Sequence, residues 1–222
     1  NISAPTRVNA EVTEQDLTAE QAQEIWEWVD SDTESGEITI TKYNGPTGDD
    51  VSVTVPATID DKKVTKIKSS TMGGAVCNQG GALLRDESGV DLAYLGIPSG
   101  ITLEPYAFQC IDANKITVAD DCTIDVNGLA AIRTANLVIG KNVTTKTTSF
   151  DYYSNANYVT TGADITTLYI DSDVPEKLCM YDNVSNIVFG ENVNTIGKQA
   201  FGGYDDGRYG AHSLSINSVK GL

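Results

Sequence analysis

The heptapeptide Leu95-Gly96-Ile97-Pro98-Ser99-Gly100-Ile101 decides how this chain folds, because its pattern recurs along the sequence. Two apolar residues flank a variable one, a turn residue follows, and a third apolar residue comes shortly afterwards. The pattern returns at residues 116–122 and 137–143, at a constant step of 21 residues. Less regular copies begin at Val53, Leu168, Ile187 and Leu214. Such a period is typical of chains that fold as a stack of similar turns.

Matching columns of apolar residues predict how each turn packs. The alternation within each pair has the period of a β-strand, so both apolar side chains face the same side. A further column lies later in the turn and holds Phe108, Leu129, Phe150 and Phe201. We therefore expect an elongated monomer with one parallel sheet of about six or seven strands, in which Phe108, Phe150 and Phe201 are almost fully buried.

Several segments resemble the BspA-like leucine-rich repeat of bacterial surface proteins, whose pattern is roughly LxxIxIPxxVxxIGxxAFxxC. They are Ile97-Pro98-Ser99-Gly100-Ile101, Ala107-Phe108-Gln109-Cys110 and residues 195–201, and residues 53–59 with 64–67 are similar to the usual first repeat. The resemblance covers residues 37 to 222, and it departs from the family at Leu129, where phenylalanine is expected. It implies a non-catalytic cell-surface or secreted protein that mediates adhesion or binds a host or bacterial surface protein or a glycan.

The predicted fold class is α+β and mainly β: a leucine-rich-repeat solenoid with one short parallel strand per coil, an N-terminal capping helix and a hairpin. Residues 1–35 form the N-terminal segment and residues 36–222 form the solenoid. Thr18 and Gln21 have capping-box spacing, and apolar residues then recur at helical spacing, so we expect a helix over 18–30. Residues 37–42 and 51–55 alternate like strands around a turn-rich segment, which predicts the hairpin.

The charge and the apolar content of the chain indicate which classes of partner to expect. The chain carries 31 acidic and 15 basic residues, a net charge of −16. Nucleic acids and anionic membranes are attracted by clustered lysine and arginine, so neither is an expected partner. No apolar run approaches the roughly 18 residues of a membrane-spanning helix, so we expect no membrane insertion. The start at Asn1, without methionine or a leader-like segment, favours an exported product whose signal segment was removed.

Motifs for chemistry are sparse. His212 is the single histidine, and the four cysteines form no C-x-x-C pair, so we expect no catalytic triad, no metal site and no cofactor. Residues 171–173 and 205–207 offer oxygen ligands without the spacing of a calcium loop. Asp120 and Asp121 are the nearest candidates for a glycosidase pair, but a solvated turn is the favoured interpretation. Cysteines at 110 and 122 match core columns, and a disulfide between Cys77 and Cys110 stays an alternative.

The predicted binding face consists of the outward residues that alternate with the buried pairs, on the concave face of the sheet. Most are small or polar, and two tyrosines add aromatic area with a hydroxyl group. The candidate ligand-binding residues are Tyr94, Lys115, Thr117, Asn136, Thr167, Tyr169 and Asn186. Two alternatives stay open: a carbohydrate-active enzyme on a parallel β-helix, whose coils carry three strands each, and a passive structural spacer.

Overall fold

The computed structural model describes residues 7–32, 36–73, 76–79, 82–85, 89–146, 159–160, 162–179, 182–201 and 215–216. For residues 76–79, 82–85 and 215–216 it describes the backbone pairing only. The protein is mostly β-structure, with parallel strands arranged in sheets, and is compatible with a β-rich, solenoid-like fold. None of the helices in these ranges is long and apolar enough to cross a membrane.

A seven-stranded sheet, here called the long-strand sheet, is parallel in all its described pairings. Its strands are β4 (Gly48–Thr54), β10 (Val90–Ile97), β13 (Ile111–Val118), β16 (Arg133–Ile139), β18 (Asp164–Ile170), β19 (Asn183–Phe189) and β20 (Ser215–Ile216). They lie side by side in chain order, so each turn of the chain adds the next strand. This agrees with the predicted parallel sheet of six or seven strands.

Shorter strands form the other sheets of the described chain. An eight-stranded sheet contains β1 (Asp16–Leu17), β2 (Trp26–Asp30), β3 (Glu37–Tyr43), β5 (Thr58–Ile59), β6 (Lys62–Ile67), β11 (Thr102–Leu103), β14 (Thr123–Asp125) and β17 (Thr144–Lys146). A three-stranded sheet contains β7 (Met72–Gly73), β12 (Phe108–Gln109) and β15 (Leu129–Ala130). A separate hairpin consists of β8 (Val76–Gln79) and β9 (Ala82–Arg85).

Successive turns pass through the three larger sheets in the same order. The chain runs from β10 to β11 and β12, and then from β13 to β14 and β15. The prediction of one strand per coil was therefore wrong for these turns, which carry one long and two short strands each. Stacking explains the extra strands, because it aligns the backbone of equivalent short segments, such as Thr102 beside Thr123, closely enough for parallel pairing.

The register of the long-strand sheet confirms the repeat for most of its length. Leu95 pairs with Ile116, and Ile116 pairs with Leu137. The last strand differs from the prediction, because Ile187 pairs with Ile216 where the repeat placed Leu214. A shift of two residues keeps the same face of a strand inward, so the apolar pattern alone cannot distinguish the two registers.

The core lies between the sheets and follows the predicted columns. The paired apolar residues of β10, β13, β16, β18 and β19 and the third column from Ile101 to Val193 are buried. Phe108 is fully buried and pairs with Met72 on one side and Leu129 on the other. The prediction for Phe201 was wrong, because it is only partly buried against the core, 6.1 Å from the fully buried Phe189 by ring centroids. Phe150 lies outside the described residues.

The predicted N-terminal cap is wrong in both parts. The capping box at Thr18 and Gln21 forms, but the helix it begins, α1 (Ala19–Ala22), is one turn long. Strand β2 follows, since Trp26 is buried beside the half-buried Trp28 in a β-alternation, and it pairs antiparallel with β3. Strands β3 and β4 do not form a hairpin, because β3 pairs with β6 and β4 pairs with β10. Pairing of each strand within its own sheet is therefore more favourable than pairing of β3 with β4 across the turn.

Candidate binding face

The seven predicted ligand-binding residues lie in two rows across the long-strand sheet. The first row follows the pairing of Tyr94, Lys115, Asn136, Thr167 and Asn186. The second row follows the pairing of Gly96, Thr117, Val138, Tyr169 and Val188. Both rows alternate with buried core residues, so they lie on the outer face of the sheet. Neighbouring positions in a row are about 4.8 Å apart.

Two asparagine side chains of the first row donate hydrogen bonds to backbone carbonyl groups of the preceding strand. The parallel pairing skips one residue in each of the five strands from β10 to β19; in β13 it is Asn114 and in β18 it is Thr166. The side chain of Asn136 donates a hydrogen bond to the carbonyl oxygen of Asn114 at 3.3 Å, and that of Asn186 donates to Thr166 at 3.4 Å. These side chains therefore compensate carbonyl groups at an irregularity of the sheet, a role that the sequence pattern did not indicate.

The two tyrosines of the face are both partly buried, for different reasons. The ring of Tyr94 lies over Gly96, where an added Cβ would come within 2.8 Å of a ring carbon. Tyr169 packs against a small cluster formed by Val8, Ala10 and Val138. Tyr94 thus presents ring surface to solvent along its own strand, while Tyr169 is covered by residues from the N-terminal end of the chain.

Residues 7–15, here called the strap, run across the long-strand sheet. Val8 and Ala10 lie on β16 and β18, and the carbonyl oxygen of Gln15 accepts a hydrogen bond from the amide of Ala57, just after β4. From Ala10 to Gln15 the chain can span roughly 16 Å, close to the roughly 14 Å of the three strand steps from β16 to β4. Val8, Ala10 and Val12 are buried and the residues between them are exposed.

A groove crosses the same outer face nearer the starts of the long strands, and its volume is about 580 Å³. A row of aligned polar residues lines it: Asp91, Asp112, Arg133, Asp164 and Asn183. Arg133 Nε lies 3.6 Å from Asp164 Oδ2, and the side-chain amide of Asn183 donates to Asp164 Oδ1 at 2.9 Å. The groove offers donors and acceptors in a polar, solvent-exposed setting, as ligands rich in hydroxyl or amide groups require.

No family model, curated protein or solved structure matches the chain.

Acidic residues after the long strands hold neighbouring turns together. Asp120 Oδ1 accepts a hydrogen bond from the Lys141 amide at 2.9 Å, and the two carboxylate oxygens of Asp171 accept from the amide and the side chain of Asn192, each at 2.9 Å. Two further bonds of this kind run from Asn142 to Asp121 and from Asn194 to Asp173. These acids, considered above for catalysis or calcium, are engaged in backbone and amide contacts. Within the described ranges no cluster of His, Cys, Asp or Glu is placed to hold a metal ion.

We expect Asp171→Ala to lower the free energy of unfolding by about 1.5–3 kcal/mol, the usual worth of hydrogen bonds to a charged group. The residue is buried, and its loss would leave the amide and side chain of Asn192 without their acceptor. Urea denaturation measures the effect, with the nearby exposed Glu191→Ala as control. Equal losses in both variants would contradict a structural role for Asp171.

A buried carboxyl group that the sequence did not reveal, Asp182, lies just before the start of β19, beside the residues that lead into β18. Asp182 accepts hydrogen bonds from the hydroxyl of Thr160 and from the amide of Ala163. Burial raises the pKa of Asp182 to about 6, although these two hydrogen bonds act in the opposite direction and lower it. The amides of Leu129 and Ala131 donate to the carbonyl oxygens of Val159 and Thr160, so residues 159–160 lie beside β15. The hydrogen bonds of Asp182 therefore connect the start of β19 to the segment that leads into β18.

The cysteine residues with described side chains are buried groups of the core. The thiol of Cys122 donates to the carbonyl oxygen of Pro98 at 3.2 Å, and burial raises its pKa to about 11. Burial likewise raises the pKa of Cys179. Thiols in this state stay protonated near neutral pH and are poor nucleophiles. The side chain of Cys77 and all of His212 lie outside the described residues, so the disulfide between Cys77 and Cys110 stays an untested alternative.

Proposed function

We propose that this chain is a BspA-like leucine-rich-repeat solenoid of the bacterial cell surface or of the secreted fraction, and that it binds a surface protein or a glycan without catalysing a reaction. The observation that supports this most is the regular alignment of polar side chains across the long parallel strands. Five strands in register, from β10 to β19, give one continuous outer face. A face of this kind suits the wet, adaptable contacts of non-obligate recognition.

The polar groove strengthens the case for binding over a purely structural spacer. A spacer needs only a solvated surface, whereas Arg133, Asp164 and Asn183 form a connected arrangement on the floor of a concavity. Fixed donors and acceptors of this type recognise a ligand at low entropic cost, because their geometry is set before the ligand arrives.

A screen of the purified chain against matrix proteins and glycans tests the proposal. Tyr94→Ala and Arg133→Ala should each weaken binding of any ligand found by at least ten-fold, because both side chains lie on the outer face. Lys63→Ala, an exposed change on β6 in the eight-stranded sheet, is the matched control and should have no effect. Ligands that respond to the control and to neither face variant would place the site elsewhere.

A carbohydrate-active enzyme on a parallel β-helix is the second candidate, and two observations favour it. Three strands per turn match the β-helix better than the single strand expected for the repeat family. In the groove, Asp91 and Asp112 occupy paired positions on adjacent strands, about 5 Å apart by strand spacing, close to the separation used by retaining glycosidases. Against this, the carboxyl with a pKa of about 6, Asp182, is fully buried and outside the groove.

Hydrolysis assays on acidic and neutral polysaccharides separate the two candidates. The enzyme hypothesis requires product release that Asp112→Asn abolishes while binding persists. Our proposal expects no product from any polysaccharide that the chain binds.

A further inference from the structure

The strap is held on the long-strand sheet by few interactions. Its buried contacts come from Val8, Ala10 and Val12, which are small, and among the described residues Val8 to Glu14 donate no backbone hydrogen bond to the strands they cross. One side-chain contact within the strap is present, from the amide of Glu11 to Asn9 at 3.1 Å. The strap therefore depends on a modest apolar area, without the ladder that holds a true strand.

Charge works against the strap in its present position. The strap carries Glu11 and Glu14 against one basic residue, Arg7, a net charge of −1, and it lies along the strand ends that present Asp120, Asp171 and Glu191. Lys141, just after β16, is the basic residue outside the strap that lines this edge. Like charges repel one another, and salt screens this repulsion beyond roughly 10 Å at 0.1 M ionic strength. A segment of the same shape with basic residues at these positions would be attracted where the strap is repelled.

The second row, which the strap contacts at Val138 and Tyr169, also holds a buried polar group. Thr117 lies in the second row between Gly96 and Val138 and is 1% exposed. Its hydroxyl oxygen has no hydrogen-bond partner among the described residues. An unpaired buried hydroxyl costs free energy that a better-fitting occupant could recover.

We propose that the surface under the strap, from Tyr169 and Val138 to Ser99, is a binding site for an extended protein segment with small apolar residues at alternate positions and lysine or arginine between them. The strap occupies this site in cis and is displaced when such a segment binds. The inference rests on the proposed binding function and narrows its partner to a protein. Alternate apolar residues fill the contacts now made by Val8, Ala10 and Val12, and the basic residues pair with the acidic edge.

A peptide with the sequence of residues 7–15 and lysine in place of Glu11 and Glu14 is the probe. Fluorescence anisotropy measures its binding to three full-length chains: the wild type, a chain with Val8→Ser and Val12→Ser, and a chain with Glu11→Lys and Glu14→Lys. The first variant weakens the strap and should bind the peptide at least ten-fold more tightly than the wild type does. The second strengthens the strap and should bind the peptide at least several-fold more weakly.

Two controls test shape and charge separately. A peptide with asparagine in place of Val8 and Val12 should not bind, and the peptide with the original glutamates should bind more weakly by a margin that shrinks at high salt. Glu191→Lys should reduce the preference for the lysine peptide.

Equal peptide affinity in the wild type and in the exposed Glu11→Lys, Glu14→Lys chain would overturn the inference, whatever the folding of the other variant. If neither peptide binds while matrix proteins or glycans still bind the outer face, the strap inference is wrong and the proposed function is retained. If matrix proteins and glycans do not bind either, both fall.

Discussion

Replacing Phe108 with alanine is expected to lower the free energy of unfolding by about 3–5 kcal/mol, the cost of removing a large buried aromatic side chain and leaving a cavity. Phe108 is fully buried, and its strand is paired on both sides, with Met72 and with Leu129. The neighbouring turns are held at the spacing of a parallel sheet, so they cannot close over the missing ring without breaking that pairing.

Urea denaturation followed by circular dichroism measures this loss. The control is Gln109→Ala, the next residue of the same strand, which is half-buried and has side-chain bonds to Ser70 and Tyr106. It should cost less than about 1 kcal/mol. A loss below about 1 kcal/mol for Phe108→Ala would mean that the stacking of successive turns is misassigned.

The second large effect is a pH dependence that comes from Asp182. Its pKa is raised from 3.8 to about 6, so the folded protein holds this proton more tightly than the unfolded chain does. The stabilising contribution is therefore fully present below pH 3.8 and is lost as the pH rises through about 6. About two pKa units correspond to roughly 3 kcal/mol, an order-of-magnitude value for a fully buried group.

The variant Asp182→Asn removes this titration and isolates its effect. The difference in unfolding free energy between wild type and variant should move by roughly 2 kcal/mol in favour of the variant between pH 4 and pH 7. Every other acidic group titrates in both proteins, so their contributions cancel. A difference between wild type and Asp182→Asn that stays constant with pH would show that Asp182 is not desolvated.

Much of the stack follows from the sequence because its determinants are periodic. The apolar pairs predicted the register of β10, β13 and β16, and the column of Phe108 predicted its pairing with Leu129. The short strands β11 and β12 were missed, since two-residue strands carry no periodicity of their own and form only when the stack aligns them. The helix over 18–30 was wrong because Trp26 and Trp28 also fit a strand, and pairing with β3 decides between the two.

For the binding face, the sequence predicted only which residues form it. Alternation identifies the outward residues, and the register aligns them in two rows. Their environment depends on contacts remote in sequence: the strap covers Tyr169, and Asn136 is committed to the carbonyl group of Asn114. No sequence pattern predicted the burial of Asp182, because nothing in the sequence distinguishes a buried aspartate from the exposed aspartates, which are the majority.

Hydrogen exchange on the chain with and without a ligand found in the screen tests the central claim most directly. The account predicts that the ligand slows exchange in Ile111–Val118, Arg133–Ile139 and Asp164–Ile170, the long strands that form the outer face. It predicts little change in Thr102–Leu103 and Thr123–Asp125 of the eight-stranded sheet. Slowed exchange in those short strands, with the long strands unaffected, would contradict recognition through the long-strand sheet.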